Sequence, residues 1–390
     1  MKGPNEPRGA PRNQAGGPLD EAPAQAPAQA PGTADGKASH GYSKPPPQQN
    51  RYSAEDREYI PAYAALDLGT NNCRLLVARP TRRGFKVIDA FSRIIRLGEG
   101  VSASGRLSEP AMLRTLQALE VCAAKMSRHR TAAARLVATE ACRIADNAGE
   151  FLDRVYDKLG LDIEILSREE EARLAVSGCA SLIEPESDLV LVFDIGGGSS
   201  ELIWLDLKGR DARPGRSLHE RADVQGAIVS WTSLSVGVVT LAETFGGRFV
   251  DNAVFEAMVA HVTHMLEPFE ARANVRPLLA TRDVHLLGTS GTVTTIAGVH
   301  LGLPRYDRSR VDGCWLETSD VRRVTDRLLA GTLEQRIAEP CIGRERADLV
   351  LAGCAILEAL LRMWPCRRLR VADRGLREGI LTMLMTDGGR

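Results

Sequence analysis

From about residue 59 onward the chain alternates between two hydrophobic rhythms. Short apolar runs at 63–68 and 74–79 have the length of paired strands, and 85–96 supplies a third and a fourth. The stretch 110–129 instead spaces Leu113, Leu116, Leu119 and Met126 as one face of a helix, with Pro110 suited to its first turn. The same alternation predicts a strand at 135–138, a helix over 149–159, a strand at 162–166 and a helix running from Ser167 through Ser181. After Glu184-Pro185-Glu186-Ser187 the strand pattern restarts at Asp188. It continues through a strand at 233–236, helices over 238–245 and 253–273, and a strand at 284–287 followed by a helix. Helices over 318–330 and 344–363, a strand at 368–371 and a closing helix complete the pattern. In the 344–363 helix, Leu349, Ala352, Ala355, Ile356, Ala359 and Leu360 mark a broad buried face.

Repeated β–β–α units predict an α/β fold in two domains flanking a cleft, 59–187 and 188–386, each long enough to bury its own core. Residues 1–58 have a different composition. Half of the 20 prolines fall there, with a Pro-Ala-Gln-Ala repeat between Pro23 and Pro31, and large apolar side chains are scarce, so this stretch is expected to be a disordered tail. The Arg-rich segment 208–225 reads as an extended loop or hairpin without a core pattern.

Composition narrows the function. Lys+Arg and Asp+Glu are both 50 and the pI is near 7.1, which argues against nucleic acid as a partner, although a local arginine cluster can still hold a polyanion. Eight cysteines without a C-x-x-C pair read as reduced thiols of a cytoplasmic protein. No apolar run is long enough for a membrane span, and no signal-peptide pattern opens the chain.

The most informative feature is a motif that occurs twice. Asp67-Leu-Gly-Thr-Asn-Asn and Asp194-Ile-Gly-Gly-Gly-Ser each follow an apolar strand and lead into another. One such turn is explained by an ordinary hairpin. Two copies point to a phosphate gripped between related domains, because amides in a Gly-rich turn converge on an anion and an Asp at the strand end can hold a cation. Candidate donors are the amides of Gly69, Thr70, Asn71 and Asn72, of Gly196, Gly197, Gly198 and Ser199, and of Gly288, Thr289, Ser290 and Gly291. Arg74 and Arg143 can add forked hydrogen bonds, Asp194 and Glu201 can share one divalent cation across a hairpin, and Glu171 is a candidate general base. Glu169 and Glu170, beside it, are read as first-turn residues that favour a helix start.

In chain order, Asp67-Leu-Gly-Thr-Asn-Asn-Cys-Arg74, Ala138-Thr-Glu-Ala-Cys-Arg143, Ser167-Arg-Glu-Glu-Glu-Ala-Arg173, Asp194-Ile-Gly-Gly-Gly-Ser-Ser-Glu201, Gly288-Thr-Ser-Gly291 and Gly375-Leu-Arg-Glu-Gly379 resemble the motifs of the exopolyphosphatase and guanosine pentaphosphate phosphohydrolase family over residues 60–386. The resemblance implies two ribonuclease-H-like domains of the actin, sugar kinase and heat-shock 70 superfamily. By motif position it implies that Glu171 activates water, that Asp194 and Glu201 bind Mg2+, that Arg74, Arg143 and the hairpin amides hold phosphate, and that Asp67 is the acidic residue of the first phosphate loop. The implied substrates are polyphosphate or guanosine pentaphosphate, with guanosine tetraphosphate as a ligand, in a protein expected to be a homodimer. Thr70 and Asn72 stand where serines are common, and Ile144 where an acidic residue often follows the motif arginine. The longer exopolyphosphatases continue into a helical HD-type domain, whereas this sequence stops just after the Gly379 helix, so shorter substrates are expected. Two other readings of the same residues are a non-hydrolysing sensor and an ATP-dependent small-molecule kinase.

Overall fold

The computed structural model describes residues 60–82, 84–184, 186–209 and 225–387, all within the compact unit Glu58–Arg390. The expected tail and nearly all of the 208–225 loop lie outside the described residues.

Two mixed sheets organise the chain. The first contains β1 (Ala62–Leu68), β2 (Asn72–Thr81), β3 (Gly84–Ile94), β4 (Thr131–Ala138) and β5 (Glu164–Ile165) in the order β3-β2-β1-β4-β5. The β1–β2 and β2–β3 pairs are antiparallel, and β4 and β5 add in parallel. The second contains β6 (Leu189–Ile195), β7 (Ser200–Asp206), β8 (Ile228–Leu234), β9 (Val284–Thr289), β10 (Trp315–Glu317) and β11 (Arg368–Ala372). It repeats the plan as β8-β7-β6-β9-β11, with β10 added antiparallel at the edge. The fold is thus a duplicated, ribonuclease-H-like α/β architecture.

Each central strand is buried on both faces, which is why β1 and β6 read as near-continuous apolar runs. In β1, Ala64, Leu66 and Leu68 pack with the helix Glu109–His129, whereas Ala65 faces Leu174, Leu376 and Ile380. In β6, Leu191 and Phe193 join the core around the helices Asn252–Ala273 and Val350–Met363, and Val190 and Val192 face Ala172, Val176 and Cys179. The helix Arg168–Cys179 therefore touches both lobes, with Leu174 in the first and Ala172 and Val176 in the second. The helix Leu376–Asp387 returns to pack on it and on β1.

Several expected elements differ. The run 85–96 forms one strand rather than two, paired with β2 along its length past a bulge at Val77/Ala78, since no turn residue interrupts it. The strand expected at 162–166 shrinks to Glu164–Ile165, which alone reach the register of Val137 and Ala138, while Leu161, Ile163 and Leu166 turn into the core. The helix expected from residue 344 starts at Val350, because Gly343 adopts φ 70° and residues 343–349 form turns.

Candidate active site

The two hairpins repeat one another bond for bond. Gly69 N–H donates to the Asn72 carbonyl at 2.9 Å, and Gly196 N–H donates to the Ser199 carbonyl at the same distance. The residue opposite the strand-end Asp differs: Asp67 faces Arg74, whereas Asp194 faces Glu201. One hairpin thus sets its Asp across the register from an arginine, and the other from a second carboxylate.

The hairpins meet tip to tip. A Cβ on Gly197 would lie 2.9 Å from Thr70 Cβ and 3.0 Å from Asn71 N, and one on Gly198 would lie 2.7 Å from Thr70 Oγ1. Only glycine permits this approach. The carbonyls of Gly196 and Gly197 accept from Val238 and Val239 at the start of the helix Val238–Phe245, which fixes the second loop. Among the described residues, the N–H groups of Thr70, Asn71, Gly197 and Gly198 have no hydrogen-bond partner and remain available to a ligand.

Behind the tips lies a cavity of about 560 Å³. Its lining includes Asp67, Gly69, Thr70, Asn71, Asn72, Arg74, Glu171, Asp194, Gly196, Gly197, Gly198, Ser199, Glu201, Thr289, Ser290 and Gly291, so most residues singled out from sequence come together. Ser290 opens the 11-residue helix Ser290–His300 with φ 73°, a strained conformation for a non-glycine residue. The helix start adds its positive end to the cavity.

Two of the singled-out residues are placed differently. Gly288 is a packing residue, since a Cβ there would meet the Phe193 ring at 2.4 Å. Arg143 does not line the cavity. Its Nε donates to Glu140 at 2.8 Å, its Nη2 to Glu171 at 2.7 Å, and its Nη1 to the Leu166 carbonyl. Arg143 therefore fixes Glu171, and Glu140, itself paired to Arg168 at 2.6 Å, fixes Arg143.

Burial dominates the electrostatics of the carboxylates. It raises the pKa of Asp67 and of Asp194, and pushes Glu201 up to about 7 with the help of Asp194. Glu171 is raised well above the usual carboxylate range by burial first and Glu201 second, against the opposing pull of Arg143. Among the described residues no cluster of three or more His, Cys, Asp or Glu side chains has the arrangement of a complete metal cage. Asp194 and Glu201 nevertheless suit Mg2+, which is commonly held by one or two carboxylates, waters and substrate phosphates. A cation there would also relieve their mutual repulsion.

The lining also holds four arginines that were not named as site residues from sequence. Arg308, Arg346, Arg374 and Arg377 join Arg74 in the lining. Arg374 is committed to Asp312, and Arg308 to Glu378 at 2.8 Å. The side chains of Arg74, Arg346 and Arg377 make no ion pair or hydrogen bond among the described residues, and burial lowers the pKa of Arg346 and of Arg377. Unpaired guanidinium groups in a cavity are a strong sign of an anionic ligand. The available sequence signal was the location of Arg377 inside the Gly375–Gly379 motif.

A duplicated α/β fold that joins paired carboxylates, free turn amides and unpaired arginines in one cleft defines a phosphoryl-handling protein. Residues 76–387 match the Ppx/GppA phosphatase family, and the chain belongs to that family. Exopolyphosphatase 2 of Mycobacterium tuberculosis is 28% identical over 334 residues, covering 82% of this chain and 98% of that protein. Among solved structures, an exopolyphosphatase-like protein is 27% identical with a TM-score of 0.72, covering 83% of this chain and 97% of that one. The Ppx/GppA family member of Aquifex aeolicus is 29% identical with a TM-score of 0.66, covering 85% and 99%.

Proposed function

We propose that the chain is a divalent-cation-dependent phosphoanhydride hydrolase that releases the terminal phosphate of inorganic polyphosphate, with the 5′ γ-phosphate of guanosine pentaphosphate as a second substrate of the same site. The observation that carries this reading is Glu171, part-buried and held by Arg143, in a cavity shared with Asp194, Glu201 and three arginines whose side chains are unpaired among the described residues. The relatives named as exopolyphosphatases support polyphosphate as the substrate.

In this reading the amides of Thr70, Asn71, Gly197 and Gly198, with Arg74, Arg346 and Arg377, hold the terminal phosphoryl group. Glu171 orients a water and takes its proton as the water oxygen bonds to phosphorus. The bridging P–O bond breaks, and the shortened chain leaves with the electron pair. Asp194 and Glu201 would hold Mg2+, which supplies charge neutralisation at the phosphoryl oxygens. Burial, which raises the pKa of Glu171, makes it a stronger base than an ordinary carboxylate.

The test is phosphate release from long-chain polyphosphate, tripolyphosphate and guanosine pentaphosphate, with Mg2+ and with EDTA. Mg2+-dependent release supports the reading, and the rates rank the substrates. No release from any of them, together with measurable binding of guanosine tetraphosphate, would make the protein a sensor; ATP consumption with a metabolite acceptor would make it a kinase.

A further inference from the structure

A second groove, of about 370 Å³, opens beside the cavity and shares Ser92 and Arg346 with its lining. It runs between the end of β3 and the turn 342–346, so one bank belongs to each lobe. Arg93 stands on one bank, its guanidinium 5.3 Å from the centroid of the Phe91 ring, and Phe91 in turn lines the main cavity. Arg344 stands exposed on the other bank, and Glu345 is the only carboxylate of the lining. Arg93 and Arg344 make no ion pair among the described residues, although the exposed Arg106, Arg322, Arg323, Arg327 and Arg362 do. The banks are fixed to each other by Arg96, which reaches across the lobes to Asp348 at 3.0 Å and to the Glu345 carbonyl at 3.1 Å.

We propose that this groove is a distal subsite that receives the far phosphates of a linear polyphosphate as the chain leaves the cleft, Arg346 at the junction passing it to Arg93 and Arg344. The inference rests on the proposed hydrolase reading and adds a preference for chains too long for the cavity alone. Three cations against one carboxylate along a groove continuous with the cavity suit a flexible polyanion. Its recognition needs no shape fit beyond the spacing of charges. The exposed arginines make the contribution salt-sensitive.

The experiment compares wild type with Arg93→Glu/Arg344→Glu on long-chain polyphosphate and on tripolyphosphate, with melting temperature as a check on folding. The subsite predicts that the KM for the long chain rises roughly tenfold, as expected when two exposed charge contacts are reversed. The KM for tripolyphosphate should stay within about twofold on the same grounds. Arg93→Gln/Arg344→Gln should give a smaller loss in the same direction. Equal effects on both substrates, or no effect on either, would overturn the subsite. If the wild type releases phosphate from neither, the hydrolase reading fails. Equilibrium binding of long-chain polyphosphate then decides the groove on its own: weaker binding by the double variant supports it, and equal binding overturns it.

Discussion

Arg143 donates from Nη2 to Oε2 of Glu171 across 2.7 Å, joining the short helix Glu140–Ile144 after β4 to the helix Arg168–Cys179. Neither partner is free to choose another geometry. Glu140 holds the far side of the guanidinium, and Glu171 sits on a helix packed between two lobes. Glu171→Gln keeps an acceptor for Arg143 but cannot take a proton. Turnover should fall roughly a hundredfold or more while polyphosphate binding persists. Single-turnover kinetics beside equilibrium binding checks this, and unchanged turnover would remove Glu171 from the role.

Arg377 is a cation in a poorly solvated place whose side chain has no hydrogen bond or ion pair among the described residues, an arrangement that costs stability in the absence of ligand. Arg377→Met should raise the melting temperature of the ligand-free protein. It should also weaken phosphate-chain binding roughly tenfold to a hundredfold, the loss expected for charge-assisted hydrogen bonds. A variant that loses stability together with binding would show that Arg377 is structural instead.

Gly379 and Gly178 let two helices touch backbone to backbone. A Cβ on Gly379 would lie 2.1 Å from the Leu174 carbonyl oxygen, and one on Gly178 would lie 1.9 Å from that of Gly375. Gly379→Ala should destabilise the protein by about 1–3 kcal/mol through overpacking. It should lower kcat too, because Leu174 shares its helix with Glu171. Gly149→Ala, where nothing lies within 4 Å of the new methyl, is the control and should leave both unchanged in denaturant melts and assays.

His285 is buried in β9 with neither ring nitrogen hydrogen-bonded among the described residues, edge-on to Trp315 of β10, and close to Arg368 and Arg370 of β11. Burial first, and the two arginines second, push its pKa down to about 4 from an ordinary 6.5. The unfolded chain therefore binds the extra proton more readily. The stability from neutral His285 is complete above pH 6.5, declines as the pH falls toward 4, and is exhausted below that. The loss is on the order of 3 kcal/mol. His285→Phe should show a smaller difference between denaturant melts at pH 7 and pH 4.5 than wild type. Equal differences would exclude this histidine as a source of acid sensitivity.

Much of the fold was legible because its signals are local. Apolar runs gave β1, β2 and β6, helical spacing gave the helix Glu109–His129, and the repeated Asp-Gly turns announced two matching lobes. What sequence could not display was long-range placement. The expected third and fourth strands merged because strand length depends on the partner β2. Arg143, read as a phosphate contact, proved to be bound to Glu171, a choice set by the packing of two distant segments. Arg346 resembles an ordinary surface arginine in the sequence, and Arg377 is marked there only by its place in the Gly375–Gly379 motif. Only the turns at 343–349 and the return of the helix Leu376–Asp387 bring them into the cleft. Gly288 lay within a recognisable motif, yet the Phe193 ring explains it.

The return of the helix Leu376–Asp387 to β1 and to the helix Arg168–Cys179 also sets an order of assembly. Until that helix has been synthesised, one face of the first sheet, with Ala65, Leu76 and Val137, has an incomplete cover. The lobe made earliest on the ribosome is therefore sealed by the segment made late. The nascent chain must keep an apolar surface waiting through translation of the whole second lobe, the kind of long-range closure that slows folding and exposes intermediates to aggregation.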